Sequence, residues 1–212
     1  MSRQYHLKQE KVREPYGKFI RNLHENNPFM LPVITDSEIL SNSEFNYQLY
    51  MHIILVSQRR QGEQFRHINI YRLLNYLCGS KLIPRGAVAK ERINTLIENS
   101  KDVMYMSGDE LIIDHTKVLY VKIPSDEGKQ LMWEHSSAIK ILLTLYLNIV
   151  KFGNIIMDRD YLGRSVGADS VTTISRYISR CEDMGYIHIT RVYDNETQKT
   201  TNMYCWKSDT WD

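Results

Sequence analysis

The stretch that decides the fold is residues 164–206, RSVGADSVTTISRYISRCEDMGYIHITRVYDNETQKTTNMYCW. It begins with a glycine turn at Gly167, continues with apolar residues at helical spacing, and reaches a second glycine at Gly185. Two segments rich in β-branched and aromatic residues follow, and the polar run DNETQK separates them. This order predicts a turn, a short helix and then a β-hairpin.

The predicted helix has two contrasting faces. Its apolar stripe contains Ile174, Ile178 and Cys181, which fall on one side at helical spacing. The opposite face holds only small polar and basic residues, namely Thr172, Thr173, Arg176, Ser179 and Arg180. Hydroxyl groups can contact phosphates or base edges, and arginine can bind guanine through two hydrogen bonds or neutralise a phosphate. We therefore expect this helix to lie against DNA, with a solvated or partner-binding face as the alternative.

The segment YLGRSVGADSVTTISRYISRCEDMGYI, residues 161–187, resembles the helix-turn-helix of bacterial winged-helix proteins. In that pattern a leucine, a small residue and a glycine turn lead to a recognition helix, which ends at a glycine before an apolar strand. The matching positions are Leu162, Gly163, Val166, Gly167, Ile174, Arg176, Ile178, Cys181, Gly185 and Ile187. The resemblance covers residues 133–207 and implies that the hairpin is the wing.

The resemblance also implies DNA contacts from the wing. Arg191 and Lys199 lie near the tip of the predicted wing, where they would meet the flanking backbone. The full set of predicted DNA-binding residues is Ser170, Thr172, Thr173, Arg176, Ser179, Arg180, Arg191 and Lys199.

The order of elements repeats along the chain. In the first half, SNSEFNYQLYMHIILVSQRRQG predicts a helix from a cap near Ser43 to Gly62, and INIYRLLNYLCGS predicts a second helix ending at Gly79. IPRGAVAKERINTLIENS predicts a third helix with Pro84 in its first turn, before a hairpin and the strand KVLYVKI. In the second half, a helix that ends at Gly153 and the short helix MDRDYLGRSVG precede the stretch quoted above.

These patterns predict a mainly α protein with small β-hairpins (α+β), built as two tandem winged-helix modules. Residues 1–39 are expected to form a basic arm with a short helix near 17–24. The first module is predicted at 40–123, the polar segment PSDEGKQ at 124–130 as a linker, and the second module at 131–212.

The two modules are not expected to be equivalent. In the third helix of the first half, Ala89, Ile93, Leu96 and Ile97 form the predicted buried stripe. The opposite face carries Glu91, Thr95 and Glu98. Because carboxylates repel a phosphate groove, we expect the second module to read the major groove and the first to support dimerisation or to grip the backbone.

Composition favours a cytoplasmic protein. The chain has 212 residues, of which 42% are hydrophobic and 25% charged, which is ordinary for a folded soluble protein. It has no apolar run long enough to span a membrane and no apolar signal core, and its three cysteines show no paired spacing. The net charge of +2 is only mildly basic, so a site for a polyanion has to be local.

An enzyme is not expected. The sequence has no glycine-rich phosphate loop, no HExxH motif and no cysteine or histidine cluster with zinc spacing. Asp158 and Asp160 are interpreted as a helix cap and a favourable charge at a helix start, rather than as metal ligands. We therefore predict no catalytic residues, no metal and no cofactor.

The basic arm, the two predicted modules and the segment NNPFMLPVITDSEIL resemble replication initiators of plasmids and phages. The resemblance implies a sequence-specific double-stranded DNA-binding protein of a bacterial cell or mobile element, acting as a replication initiator or a transcription regulator. Its expected partners are DNA, a second copy of the chain, and replication or transcription proteins, with no membrane. The alternative is a protein–protein adaptor that uses its winged helices to bind a replication or transcription partner.

Overall fold

The computed structural model describes residues 29–57, 64–168, 170–195 and 198–207. The predicted short helix near 17–24, and with it most of the predicted arm, lies outside these residues. Within them the chain has a mixed helix and strand architecture with small antiparallel sheets, as the α+β prediction requires. No described helix has both the length and the apolar character needed to cross a bilayer.

The first half begins with a strand and a short helix that precede the repeated elements. Its elements are β1 (Phe29–Val33), α1 (Ser37–Ser41), α2 (Tyr47–Val56), β2 (Phe65–Asn69), α3 (Ile70–Gly79), α4 (Ala87–Glu98), β3 (Met104–Ser107), β4 (Glu110–Asp114) and β5 (Leu119–Ile123). The predicted bounds of the three helices of this half are wrong by a few residues. Helix α2 ends at Val56 rather than at Gly62, and Ile68 and Asn69, predicted as the start of the second helix, belong to β2. The cap of α2 is Asn46, whose side chain accepts from the backbone N–H of Leu49, and not Ser43. Pro84 precedes α4, because the chain reaches that helix through Gly86 at a φ of 90°.

The second half follows without an irregular linker. Its elements are α5 (Ser125–Leu131), α6 (Ser136–Phe152), β6 (Ile155–Met157), α7 (Arg159–Ser165), α8 (Val171–Asp183), β7 (Ile187–Asp194) and β8 (Lys199–Trp206). Helix α6 ends at Gly153, as predicted, with a φ of 78° at that glycine. Asp158 caps α7 by accepting hydrogen bonds from the backbone N–H groups of Asp160 and Tyr161, as its position in the sequence predicts.

Both halves share one topology. In each, a helix is followed by a strand, two further helices and an antiparallel hairpin. The strand orders are β2–β4–β3 in the first half and β6–β8–β7 in the second, so in both the strand that follows the first helix pairs with the second strand of the hairpin. The repeat predicted from the order of elements is therefore present in the structure.

The predicted linker at 124–130 is instead helix α5, and its buried side explains why. Leu131 is fully buried, and Gly128 lies against the ring of Phe29 in β1. A Cβ at Gly128 would fall 2.1 Å from that ring, so the glycine serves a close contact rather than flexibility. Strand β1 pairs with β5, which makes residues 29–33 of the predicted arm part of the first half.

The two halves are packed against each other around one continuous cluster of buried apolar side chains. His52 in α2 lies 2.8 Å from the carbonyl oxygen of Met132, and burial lowers the pKa of His52 to about 4. The imidazole is therefore neutral at pH 7 and donates its Nε2 proton to that carbonyl. The backbone N–H of Tyr47 also donates to Ser136 Oγ at 2.7 Å. The division into two modules stays a prediction, but the halves are joined by buried contacts.

Candidate nucleic-acid interface

The turn before α8 is set by two glycines and a cap. Gly167 adopts a φ of 66°, and α7 and α8 cross so closely at Gly163 that a Cβ there would fall 2.1 Å from Ile174 Cδ1. Ser170 caps α8, because its Oγ accepts from the backbone N–H of Thr173 at 3.2 Å and donates to Thr173 Oγ1 at 2.8 Å. Two of the predicted DNA-binding hydroxyls therefore hold the start of the helix in position.

The two faces of α8 are arranged as the sequence predicts. Its buried side contains Ile174, Ile178 and Cys181, and Tyr177 joins them. The outward side exposes Thr172, Arg176 and Ser179, while Thr173 and Arg180 are half-buried at its edge. The acidic residues Glu182 and Asp183 come only at the end of the helix.

Arg176 is held over an aromatic ring. Its guanidinium carbon lies 4.9 Å from the centroid of the Tyr177 ring, and Nη2 donates to the Tyr177 hydroxyl at 3.2 Å. The ring of His135 stacks against the same tyrosine, with centroids 4.8 Å apart. Desolvation, and then the charge of Arg176, lower the pKa of His135. The side chain of Arg176 is thus held against Tyr177, and the imidazole stacked on the same tyrosine is favoured in its neutral form.

Arg180 is bound by a carboxylate. Its Nε donates to Glu134 Oε1 at 3.1 Å, and Nη2 donates to the same oxygen. The side chain of Glu134 is only 13% exposed, against 41% for Arg180. Sequence periodicity places Arg180 on the polar face but does not reveal this partner, because Glu134 precedes α6 and is distant in sequence.

A cleft of roughly 260 Å³ runs between α8 and the sheet of the second half. Ser179 and Arg191, both predicted to bind DNA, line it together with Arg159, Ser175 and Glu182. Arg159 donates from Nη1 to Ser175 Oγ at 3.3 Å. Sequence reasoning missed Arg159, because it treated the DRD run as a helix start and considered only its carboxylates. The cleft therefore carries Arg159 from α7 and Arg191 from β7, and Glu182 Oε1 of α8 accepts from the backbone N–H of Ile189 in β7 at 3.1 Å.

The remaining predicted residues lie elsewhere on the same half. Thr172 is exposed on the outward side of α8, near its start. Lys199 is exposed at the first position of β8, opposite Asp194 in the hairpin register. Arg191 pairs with Asn202 further along the hairpin, so the two basic residues of the predicted wing lie at different positions of the hairpin.

The corresponding helix of the first half differs from α8 in the residues on its outward face. Ala89, Ile93 and Leu96 of α4 have the same spacing as Ile174, Ile178 and Cys181 of α8, and both sets are buried. With the helices matched in this way, Glu91 takes the place of Arg176, Thr95 that of Arg180, and Glu98 that of Asp183. Glu91 and Glu98 are exposed. The outward face of α4 therefore carries a carboxylate at the place of Arg176 and no basic residue at the place of Arg180, whereas both helices are acidic near their ends.

The first half also has a cleft beside its third helix, but with a different lining. It measures roughly 170 Å³ and lies between α3, α4 and the β3–β4 turn. Tyr71, Leu74 and Met106 give it an apolar wall, and Lys90 Nζ lies 6.0 Å from the centroid of the Tyr71 ring. The two halves therefore offer chemically distinct surfaces at matching places in one topology.

Among the residues that the structure describes, no three His, Cys, Asp or Glu side chains come together as a metal site would require.

Comparison with known proteins gives no match of this chain to a protein-family model, to a curated protein or to a solved structure.

Proposed function

We propose that this chain is a sequence-specific double-stranded DNA-binding protein made of two tandem winged-helix modules. Helix α8 enters the major groove, and the β7–β8 hairpin is a wing that contacts the flanking backbone. The repeated order of elements and the two matching strand orders support this proposal, since a winged helix has the same succession of helices and strands.

The observation that carries the proposal is the outward face of α8. It presents Thr172, Arg176 and Ser179 to solvent without an acidic residue until the end of the helix. The matching position to Arg176 in α4 is Glu91, which would repel phosphates. This contrast supports a groove-reading role for the second half and a dimerisation or backbone-gripping role for the first.

The proposed biological role is replication initiation or transcription regulation in a bacterial cell or mobile element. A homodimer with two-fold symmetry would bind two half-sites separated by one helical turn, about 34–36 Å centre to centre. Sedimentation of the full chain with and without a duplex tests the dimer.

The direct test is fluorescence anisotropy of the full chain on a pool of random duplexes, followed by selection of the bound sequences. Binding should weaken steeply with salt, because phosphate contacts release counterions. Replacing Arg176 by Ala should cost roughly 1–3 kcal/mol on the selected duplex and relax preference at one position. Arg72→Ala, which removes an exposed arginine of the first half, is the matched control and should leave sequence preference unchanged.

Two outcomes would overturn the proposal. If the chain binds no duplex at about 50 mM salt, the protein–protein adaptor becomes the better explanation. If Arg176→Ala binds and selects like the wild type, α8 is not the reading helix.

A further inference from the structure

The short segment before α6 supports both arginines of α8. Glu134 bonds Arg180 directly, and the adjacent His135 stacks on the tyrosine that supports Arg176. Glu134 is the less exposed partner of its pair, with 13% of its side chain accessible. The carboxylate is therefore more shielded from solvent than the guanidinium that it binds.

The hydrogen bonds to Glu134 restrict how Arg180 can contact a base. A guanidinium is planar and presents its N–H groups along distinct edges, each of which can make a two-bonded contact. Glu134 Oε1 accepts from both Nε and Nη2, so it occupies the edge that these two nitrogens form. Any two-bonded contact of Arg180 with guanine has to use the other edge, in the plane that Glu134 imposes.

We propose that Glu134 is a specificity-determining positioning residue, which fixes the guanidinium of Arg180 for base reading and lowers its attraction to phosphates. This inference rests on the proposed DNA-binding function. The carboxylate acts in two ways that can be separated: its position orders the arginine, and its charge offsets the arginine's charge. Selectivity between sequences is thereby gained while general affinity for DNA is reduced.

The variant Glu134→Gln removes the charge of this partner. It keeps the length of the side chain, but a neutral amide oxygen holds the guanidinium of Arg180 less firmly than a carboxylate does. Binding to a shuffled duplex should tighten, and the dependence of log affinity on log salt should steepen by about one. The ratio of affinities for the selected and shuffled duplexes should fall about fivefold or more, the lower range for losing a two-bonded base contact.

Three further variants isolate the mechanism. Glu134→Asp keeps the charge but shortens the reach, so the affinity ratio should fall while the salt slope stays at the wild-type value. Asp183→Asn removes one exposed carboxylate from the same helix and should tighten binding to both duplexes alike. In an Arg180→Ala background, Glu134→Gln should no longer change the ratio, because the positioned group is absent.

The experiment uses the full chain, a duplex that the wild type selects from a randomised pool, and a shuffled duplex of equal length and composition. Circular dichroism confirms that each variant is folded before binding is measured. An unchanged ratio in Glu134→Gln, or an equal fall with Arg180 absent, overturns the inference and leaves the proposed function standing. If the wild type selects no sequence, the proposed function fails and this inference fails with it.

Discussion

Lys140 should make the stability of the protein depend on pH above about 8. This lysine of α6 is only 2% exposed, and its Nζ donates to the carbonyl oxygen of Asn42 at 2.7 Å. The ammonium lies 5.6 Å from the centroid of the Phe45 ring. Burial lowers the pKa of Lys140 from 10.5 to about 8. The perturbation is Lys140→Met, which keeps the length of the side chain and removes the titrating group.

The sign and size of the effect follow from that pKa. The unfolded lysine holds its proton up to its ordinary pKa of 10.5, whereas the folded one loses it near 8. The unfolded state therefore binds more protons between these values, and the free energy of unfolding of the wild type rises with pH across the window. A depression of this size corresponds to about 3 kcal/mol in total. Below the folded pKa, Lys140 is charged in both the folded and the unfolded state, and the folded protein carries the full cost of burying the ammonium.

The assay measures urea unfolding of wild type and Lys140→Met by circular dichroism at a series of pH values from 7 to 10. Taking the difference in unfolding free energy between the two proteins removes the contributions of the other titrating groups. Between pH 7 and pH 10 this difference should change in favour of the wild type by most of the roughly 3 kcal/mol that the depressed pKa corresponds to. Lys151→Met, which removes an exposed lysine of the same helix, should give a flat difference. A flat difference for Lys140→Met as well would refute the reasoning.

Three further substitutions test close contacts and the proposed wing. Gly167→Ala should destabilise the protein by roughly 1–3 kcal/mol, since its φ is 66° and a Cβ would lie 2.3 Å from a carbonyl oxygen of the first half. Gly79→Ala, whose Cβ would meet nothing within 4 Å, is the control, and equal urea midpoints for the two would contradict that contact. Gly128→Ala should cost roughly 1–3 kcal/mol by crowding the ring of Phe29, and an unchanged thermal midpoint would argue against that packing. Lys199→Ala should lower the salt slope of DNA binding by about one for every sequence alike, and a changed sequence preference would assign it a reading role instead.

Local patterns predict α8 and the hairpin that follows it well. Ser170 has the side chain that a helix cap needs, and the buried stripe recurs at helical spacing up to Cys181. The two β-branched segments on either side of the polar run form the antiparallel strands β7 and β8. All of this information lies within a few residues of the element that it specifies, which is why a single sequence is sufficient.

Long-range contacts explain what the sequence does not predict. Gly128 and the preceding Pro124 have the composition of a linker, yet the glycine is small because a ring from β1 occupies the space beside it. Arg180 has the periodicity of a DNA-facing residue, but its partner Glu134 belongs to another part of the chain. Lys140 is a charged residue in an apolar helix, and its burial goes with contacts to Asn42 and Phe45, which are distant in sequence.

The connection between α1 and α2 contacts the second half at two places. Its Asn42 side chain donates to Asn99 Oδ1 at the end of α4, and the Asn42 carbonyl accepts from Lys140 in α6. The backbone of Ser41 and Ser43 lies directly against Gly167, in the turn that leads to α8. A recombination event between residues 124 and 130 would separate that turn from the backbone that its shape matches. We therefore expect the two halves to diverge together in evolution, with changes at 41–43 accompanied by changes at the turn, rather than to be exchanged as independent cassettes.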